Sequence, residues 1–503
     1  MQMKPYKSFL FIFAVLAALL AFPLFFPNGK ITLPWMGLRV YSLSEFVKTT
    51  EVPQELPLLA QKQAEVSDTI KIEAGPKLKA DSIIETVKPG VNSIKKEIPK
   101  QLVSSPSAGD KIKMVESEII IPKQSEGKWE KLSNNLALAE TKQKPLRILY
   151  YGDSQIENDH ITSEFRKALQ KRYGGAGRGL VPVESMYNSA NNFVMTSSDN
   201  WETESVIKNR SRRLDLGLLC EAFRISHNET SKDSVTTSWV NIKSIKKGID
   251  EGFSVLSIFY RASGNSSVSV QLDENIPVDK MLAGSSEIRE IRFNLGKTPG
   301  KLDMHFSTDE KITVYGLNLE SPSGIMVDNI ALRGRAYPEF TRIDTSRLKQ
   351  MANLLNPAFI IMQYGVNVVP NIRDDYTYYK NHLNRELAYL KEILPETPVL
   401  MVSVSDMAHK ANGELESYPN LESVLKAQKE AALENGCAFW NLYESMGGKG
   451  SMIEWVGQQP PLGNKDYVHY TSLGAEKVGG LFARQFIKAM ELEQLTASLV
   501  HEP

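Results

Sequence analysis

Four segments are apolar along most of their length: LRILYYG (146–152), AFIIMQYG (358–365), PVLMVSVS (398–405) and CAFWNLY (437–443). Stretches with helical spacing fall between and after them. Ile161, Phe165 and Leu169 recur every four residues until GGAGRG (174–179) stops the helix. YKNHLNRELAYLKEIL (379–394), NLESVLKAQKEAALENG (420–436) and SLGAEKVGGLFARQFIKAM (472–490) read the same way. Strands apolar on both faces, alternating with helices, predict a parallel sheet covered on each side. A further helix, KWEKLSNNLALAE (128–140), leads into the first strand, so order is expected to begin near Trp129.

The stretch 191–324 has a different period. FSVLSIFYRA, SVSVQLD, EIREIRFNL, KLDMHFST and KITVYGLNLE are short, alternating or β-branched runs separated by Gly, Pro, Asn and Asp. They predict an antiparallel sandwich inserted into the α/β domain, which resumes at GIMVDNIALRGRA (324–336).

At the N-terminus, Ser8 to Gly29 carries no charge and follows Lys4 and Lys7. That run is long enough for a transmembrane helix, with its N-terminus in the cytoplasm and the rest exported. Bulky residues stand where a signal peptidase would cut, so the expectation is an uncleaved anchor. Val47 to Lys128 contains seven prolines and no aromatic residue. Such a segment cannot bury enough apolar surface to offset its ordering entropy. The expected organisation is an anchor (1–30), a mobile tether (31–125), an α/β domain in two pieces (126–190 and 325–495) and the inserted sandwich (191–324).

Composition narrows the function. Lys+Arg and Asp+Glu both number 59, which gives no global field for nucleic acid. Cys220 and Cys437 are too few for a disulfide framework and match no metal spacing, so both are expected as buried apolar residues and no metal or cofactor is expected.

Gly-Asp-Ser at the first strand–helix junction is either a plain turn or a support for the Ser154 hydroxyl. A serine nucleophile needs a base, a group that orients the base, and donors for an oxyanion. His160, His227, His305 and His382 lack a local partner, and His501 is in the tail. Two histidines follow an aspartate by three residues: Asp406–His409 in DMAH and Asp466–His469 in DYVH. A carboxylate at that spacing can reach the imidazole Nδ1 and leave Nε2 for the serine. His469 is the better candidate, because it precedes a Ser/Thr-capped helix, whereas His409 lies in a polar loop.

At these residues the chain resembles the SGNH, or GDSL, hydrolases, whose four blocks occur here in order. YGDSQ resembles the first block, making Ser154 the nucleophile with Asp153 as its supporting neighbour. ALRGRA resembles the second, where Gly334 would give a backbone N–H to the oxyanion. QYGVN resembles the third, where Asn367 would give its side-chain amide. DYVH resembles the last, with Asp466 and His469 completing the triad. The oxyanion would sit among Ser154, Gly334 and Asn367. Gln155 departs from the family's name-giving leucine, and no acid follows the third block. The resemblance implies a three-layer α/β/α, flavodoxin-like fold with its site beyond the strand carboxyl ends. Ser154 is expected near a helix start, where backbone N–H groups favour negative charge.

An SGNH domain with a β-sandwich between the first and second blocks is similar in layout to exported bacterial peptidoglycan O-acetylesterases and related polysaccharide acetyl-modifying enzymes. This implies a serine esterase of the cytoplasmic membrane, its head in the periplasm, acting on an O-acetylated envelope glycan. The insert resembles a carbohydrate-binding module, with Trp201, Trp239, Phe253, Phe259 and Tyr260 as stacking candidates, although core packing suits most of them better. Trp455 and Asp406 are candidates for loops bordering the site. Two alternatives share the scaffold. One is an O-acetyltransferase using the same acetyl-serine, with a membrane acyltransferase as partner. The other is a non-catalytic glycan-binding protein, whose signature would be a lost Ser, Asn or His.

Overall fold

The computed structural model describes residues 31–33, 38–40, 114–184, 193–211, 213–225, 235–244 and 252–500, with side chains to residue 493. The expected anchor and most of the expected tether lie outside the described residues. Among the described residues no helix is long and apolar enough to cross a membrane. In an N-terminal unit (Met1–Leu102), β1 (Ile31–Leu33) and β2 (Leu38–Val40) pair antiparallel, so the start of the expected tether carries a strand pair.

The second unit opens with α1 (Glu126–Ala137), β3 (Leu146–Gly152), α2 (His160–Tyr173) and β4 (Gly179–Val181). Among the described residues ten strands follow without a helix. They are β5 (Phe193–Ser197), β6 (Trp201–Ser205), β7 (Glu221–Ile225), β8 (Thr236–Ser244), β9 (Val255–Ser263), β10 (Ser266–Leu272), β11 (Val278–Leu282), β12 (Arg289–Asn294), β13 (Lys301–Thr308) and β14 (Lys311–Glu320). The alternating order returns with β15 (Ile325–Ala331), α3 (Thr345–Leu355), β16 (Pro357–Gln363), α4 (Thr377–Ile393) and β17 (Val399–Val402). A hairpin, β18 (Ala408–Ala411) and β19 (Glu414–Ser417), precedes α5 (Leu421–Glu434) and β20 (Ala438–Trp440). The chain closes with α6 (Leu442–Met446), α7 (Ser451–Gly457) and α8 (Ser472–Val500).

The central sheet is parallel, in the order β15-β3-β16-β17-β20. Side chains alternate across a strand, so each all-apolar run must feed two cores. On β3, Ile148 and Tyr150 enter one core, and Leu149 and Tyr151 the other. Phe359 and Ile361 of β16 side with the first pair, and Ile360 and Met362 with the second. The first core is closed by α1, α2 and α8 through Trp129, Phe165, Phe482 and Phe486; Trp129 meets Phe359 edge-on at 5.2 Å. Leu348 of α3, Leu383 and Leu387 of α4, and Val424 of α5 close the second. Each such side chain contributes about 1.5–3 kcal/mol on burial.

The insert forms two antiparallel sheets, β11-β10-β13-β8-β5 and β12-β9-β14-β7-β6. Period-two burial is clearest on β13, where Leu302, Met304 and Phe306 point inward. Of the stacking candidates, Trp201, Phe253, Phe259 and Tyr260 are core residues, and Trp239 alone is exposed, at 39%. β4, expected in the α/β domain, pairs with β14 of the insert, so the sandwich draws a strand from before residue 190. Arg147 of β3 joins the two parts. It donates to the Asp328 carboxylate at 2.6 and 2.7 Å, to Asn318 Oδ1 at 3.1 Å, and to Glu320. Burial pulls Arg147 down, but the two carboxylates outweigh it and keep the guanidinium charged.

Order also begins earlier than Trp129. Ile120 bridges Phe439 on the edge strand β20, and Ser117 bonds the Asn441 carbonyl and receives the Trp440 indole N–H. The apolar patch SEIIIP thus covers an open sheet edge, a role invisible to composition.

Candidate active site

Three adjacent strands end at one level. Gly152 of β3 is in register with Ala331 of β15 and Gln363 of β16. The next residues stay paired: Leu332 N–H donates to the Gly152 carbonyl at 2.7 Å, and Asp153 N–H to the Gln363 carbonyl at 3.2 Å. The turns carrying Ser154, Gly334 and Asn367 therefore leave the sheet side by side, at its carboxyl edge. Gly152 allows this closeness, because a Cβ there would lie 2.9 Å from the Gln363 carbonyl oxygen and from Ile156.

Asp153 caps the turn after β3 by accepting the Gln155 N–H at 3.1 Å. Ser154 then starts a 3-10 run, Ser154–Asp159, broken at Glu157 and at Asn158 (φ 57°). The long helix α2 begins only at His160, so the helix start at which Ser154 sits is that of the 3-10 run. Asp159 braces the run: it is buried, and Arg166 donates to it at 2.7 and 2.9 Å. Burial raises the Asp159 carboxyl, but Arg166 and Arg178 overcome this and hold it well below the usual carboxylate range. Asn329 closes the other side, donating to the Ile156 carbonyl at 2.8 Å and to Thr162 Oγ1 at 2.7 Å. Asp153 is only 1% exposed, and its Oδ2 has no hydrogen-bond partner among the described residues. Burial pushes its carboxyl up to about 7, against the opposing pull of the Gln155 N–H.

His469 approaches from a tight loop before α8. The Asn464 N–H bonds the His469 carbonyl at 2.8 Å, and Tyr467 takes a left-handed conformation (φ 59°) at the turn. Asp466 Oδ1 accepts the N–H groups of Val468 and His469, both at 3.0 Å. Its Oδ2 lies 2.8 Å from His469 Nδ1. A carboxylate only accepts, so Nδ1 carries the proton and Nε2 presents its lone pair. That Nε2 lies 2.8 Å from Ser154 Oγ. Partial burial raises the Asp466 carboxyl, but the His469 and Val468 hydrogen bonds prevail and hold it below its ordinary value. His469 is 35% and Asp466 50% exposed, so the dyad is open to a ligand from solvent. Thr471 caps α8 through the Gly474 N–H at 3.2 Å, fixing the loop's far end.

The arrangement has the elements of proton transfer. A hydroxyl bonded to a neutral imidazole can lose its proton as it attacks an electrophilic carbon, and the carboxylate steadies the imidazolium. Neither the Ser154 N–H nor the Gly334 N–H has an acceptor among the described residues. Gly334 adopts φ 75° in an exposed turn. The Asn367 amide is also exposed and donates one hydrogen to the Arg335 carbonyl at 3.0 Å, leaving its second hydrogen for a ligand.

The other D-x-x-H is arranged differently. Asp406 is buried rather than solvated, and its Oδ2 accepts the Met452 N–H at 2.9 Å and the Ser417 hydroxyl at 3.1 Å. His409 belongs to β18, stacks on Tyr418 at 4.2 Å and lies 3.8 Å from Glu416. The expected polar loop is the β18–β19 hairpin, turned at Asn412 (φ 53°) and Gly413 (φ 89°). Trp455 is fully buried against Tyr470, and Asp406 is fully buried as well, so neither side chain is open to a ligand from solvent. Cys220 and Cys437 are free and buried. Sequence reasoning passed over Gln155, Gln363 and Ser405, which form a buried polar cluster under the serine turn. Gln363, a glutamine inside the apolar run AFIIMQYG, was the available signal.

No family model and no curated protein matches the chain. Among solved structures, a peptidoglycan O-acetylesterase is similar at 20% identity and a TM-score of 0.58, covering 72% of this chain and 96% of its own. A family two carbohydrate esterase from Cellvibrio japonicus (11% identity, 59% of this chain and 99% of that one) reaches a TM-score of 0.24. A GDSL-like lipase from Parabacteroides merdae (18% identity, 33% and 74%) also reaches 0.24. These last two values are too low to bear on the fold. With the parallel sheet and the inserted sandwich, the TM-score of 0.58 shows that the chain shares the fold of that first solved structure.

Proposed function

We propose that the chain is a serine esterase that removes O-acetyl groups from a cell-envelope glycan, peptidoglycan foremost, through an acetyl-serine intermediate. The observation that carries this reading is the unbroken chain Ser154 Oγ–His469 Nε2 at 2.8 Å and His469 Nδ1–Asp466 Oδ2 at 2.8 Å. Ser154 Oγ attacks the acetyl carbonyl carbon while its proton passes to His469 Nε2. The resulting oxyanion is received by the N–H groups of Ser154 and Gly334 and the Asn367 amide. Collapse breaks the ester bond, and His469 returns the proton to the departing sugar hydroxyl. Water then attacks the acetyl-serine, giving up its proton to His469, which returns it to Ser154 Oγ as the acyl–Oγ bond breaks and acetate leaves. Asp466 keeps the imidazole in the required tautomer throughout. Because a single acetyl group offers little binding energy, contacts along the glycan would orient the ester.

Support for the glycan comes from the shared fold with a protein whose solved structure is that of a peptidoglycan O-acetylesterase. We also propose that Ser8–Gly29 anchors the chain in the cytoplasmic membrane with its head outside the cytoplasm; the support is the uncharged apolar run behind Lys4 and Lys7. The test incubates the chain with O-acetylated peptidoglycan and follows free acetate, with and without a non-acetylated acceptor saccharide. Acetate release independent of acceptor is expected. Label accumulating on the acceptor instead would make the chain an acetyltransferase, and neither outcome would leave a glycan-binding protein. Membrane fractionation of cells expressing the chain checks the anchor.

A further inference from the structure

Gln155 follows Ser154 directly, and its side chain is buried. Its Nε2 donates to Ser405 Oγ at 2.7 Å and to the Val468 carbonyl at 2.9 Å. Its Oε1 lies 3.4 Å from Gln363 Nε2, and Gln363 Oε1 accepts the Tyr150 hydroxyl at 2.7 Å. Both amide hydrogens are therefore engaged, and the carboxamide is keyed to the ends of β3, β16 and β17 together. Val468 immediately precedes His469. The side chain next to the serine thus holds the backbone next to the histidine.

We propose that Gln155 is a positioning residue: its carboxamide pins the His469 loop to the Ser154 turn and so sets the reach from Ser154 Oγ to His469 Nε2. This rests on Ser154 and His469 acting as nucleophile and base. The loop needs such a tie. It lies at the surface, its histidine is 35% exposed, and it turns through a left-handed Tyr467. A leucine, the residue that names the resembling family, would fill similar space but offer the Val468 carbonyl no donor. Rate is sensitive to this reach, since a displacement of about 1 Å can cost about 10²-fold.

The test is a double-mutant cycle on the full-length chain, with a small activated acetate ester as substrate. Gln155→Met conserves length and volume and removes both donors. Relative to wild type, kcat should fall about 10- to 10²-fold with KM nearly unchanged, because the loss is of alignment rather than binding. In a His469→Ala background the same substitution should change the residual rate by less than about twofold, since there is no imidazole left to align. A merely structural role would repeat the full loss in that background, and that result overturns the proposal. Full kcat in Gln155→Met also overturns it. If His469→Ala alone kept full activity, the assignment of the base would fail instead, which is a separate outcome. Thermal unfolding of each variant shows that folded protein is being compared. Should Gln155→Met not fold, Gln155→Asn, polar but one methylene too short to reach Val468, takes its place in the same cycle with the same expected results.

Discussion

Replacing Asp153 by asparagine isolates one ionisation beside the candidate nucleophile. In the folded chain this carboxyl is 1% exposed, its Oδ2 has no partner among the described residues, and burial raises its pKa from 3.8 to about 7. An acid whose pKa is higher when folded binds more protons in the folded state between the two values. Stability therefore falls as pH rises from about 4 to about 7, and the full cost is present above 7. A carboxyl raised from 3.8 to about 7 corresponds to about 4 kcal/mol, at about 1.4 kcal/mol for each tenfold change in proton affinity. Asparagine keeps an acceptor for the Gln155 N–H and carries no charge, so it escapes this cost. Denaturant unfolding of both proteins from pH 4 to 8 is the assay, read as the difference between them. Glu221 and Glu386, also raised to about 7 by burial, titrate in both proteins and cancel. Relative to wild type, Asp153→Asn should gain about 4 kcal/mol between pH 4 and pH 8. A difference that stays flat across that range would refute the reasoning, because it would mean that Asp153 has its ordinary pKa when folded.

His469→Ala should remove nearly all turnover of an activated acetate ester, whereas His409→Ala should stay close to wild type; steady-state kinetics on the two variants checks this. Asn367→Ala should lower kcat by about 10²–10³-fold if its free amide hydrogen meets the oxyanion, with the KM of a small ester little changed. Arg147→Met leaves the buried Asp328 without its cation, while Glu320 keeps Arg292 at 3.1 Å, and should cost about 3–5 kcal/mol, measured by denaturant unfolding at neutral pH.

The layered fold was legible because the central strands are apolar on both faces along most of their length, and that pattern requires cover on both faces. The insert was legible from the change to period two. Its limits were not, because β4 is a three-residue strand whose partner, β14, lies far along the chain. The order at Met114–Ile121 escaped for a similar reason: a segment without aromatics reads as unable to make its own core, yet it borrows the edge of β20. At the candidate site, the Gly-Asp-Ser junction proposed Ser154 and D-x-x-H spacing proposed Asp466 with His469, and the structure brings them into hydrogen-bond contact. Spacing also proposed Asp406 with His409, and there the carboxylate turns to Met452 and Ser417 instead. Trp455 looked available for a ligand, but burial is a property of its neighbours rather than of its local sequence. In the sequence Gln155 reads only as a departure from a motif. Its partners, Ser405 and Val468, are roughly 250 and 310 residues away and meet it only once the sheet has formed.

The central claim is that Ser154 Oγ takes the acetyl group. The most direct measurement mixes the chain rapidly with an activated acetate ester, quenches in acid, and maps the peptides by mass spectrometry. The peptide containing Ser154 should gain the mass of one acetyl group at early times, and Ser154→Ala should gain none. Ester turnover with the acetyl group on another residue, or undiminished turnover by Ser154→Ala, would contradict the account.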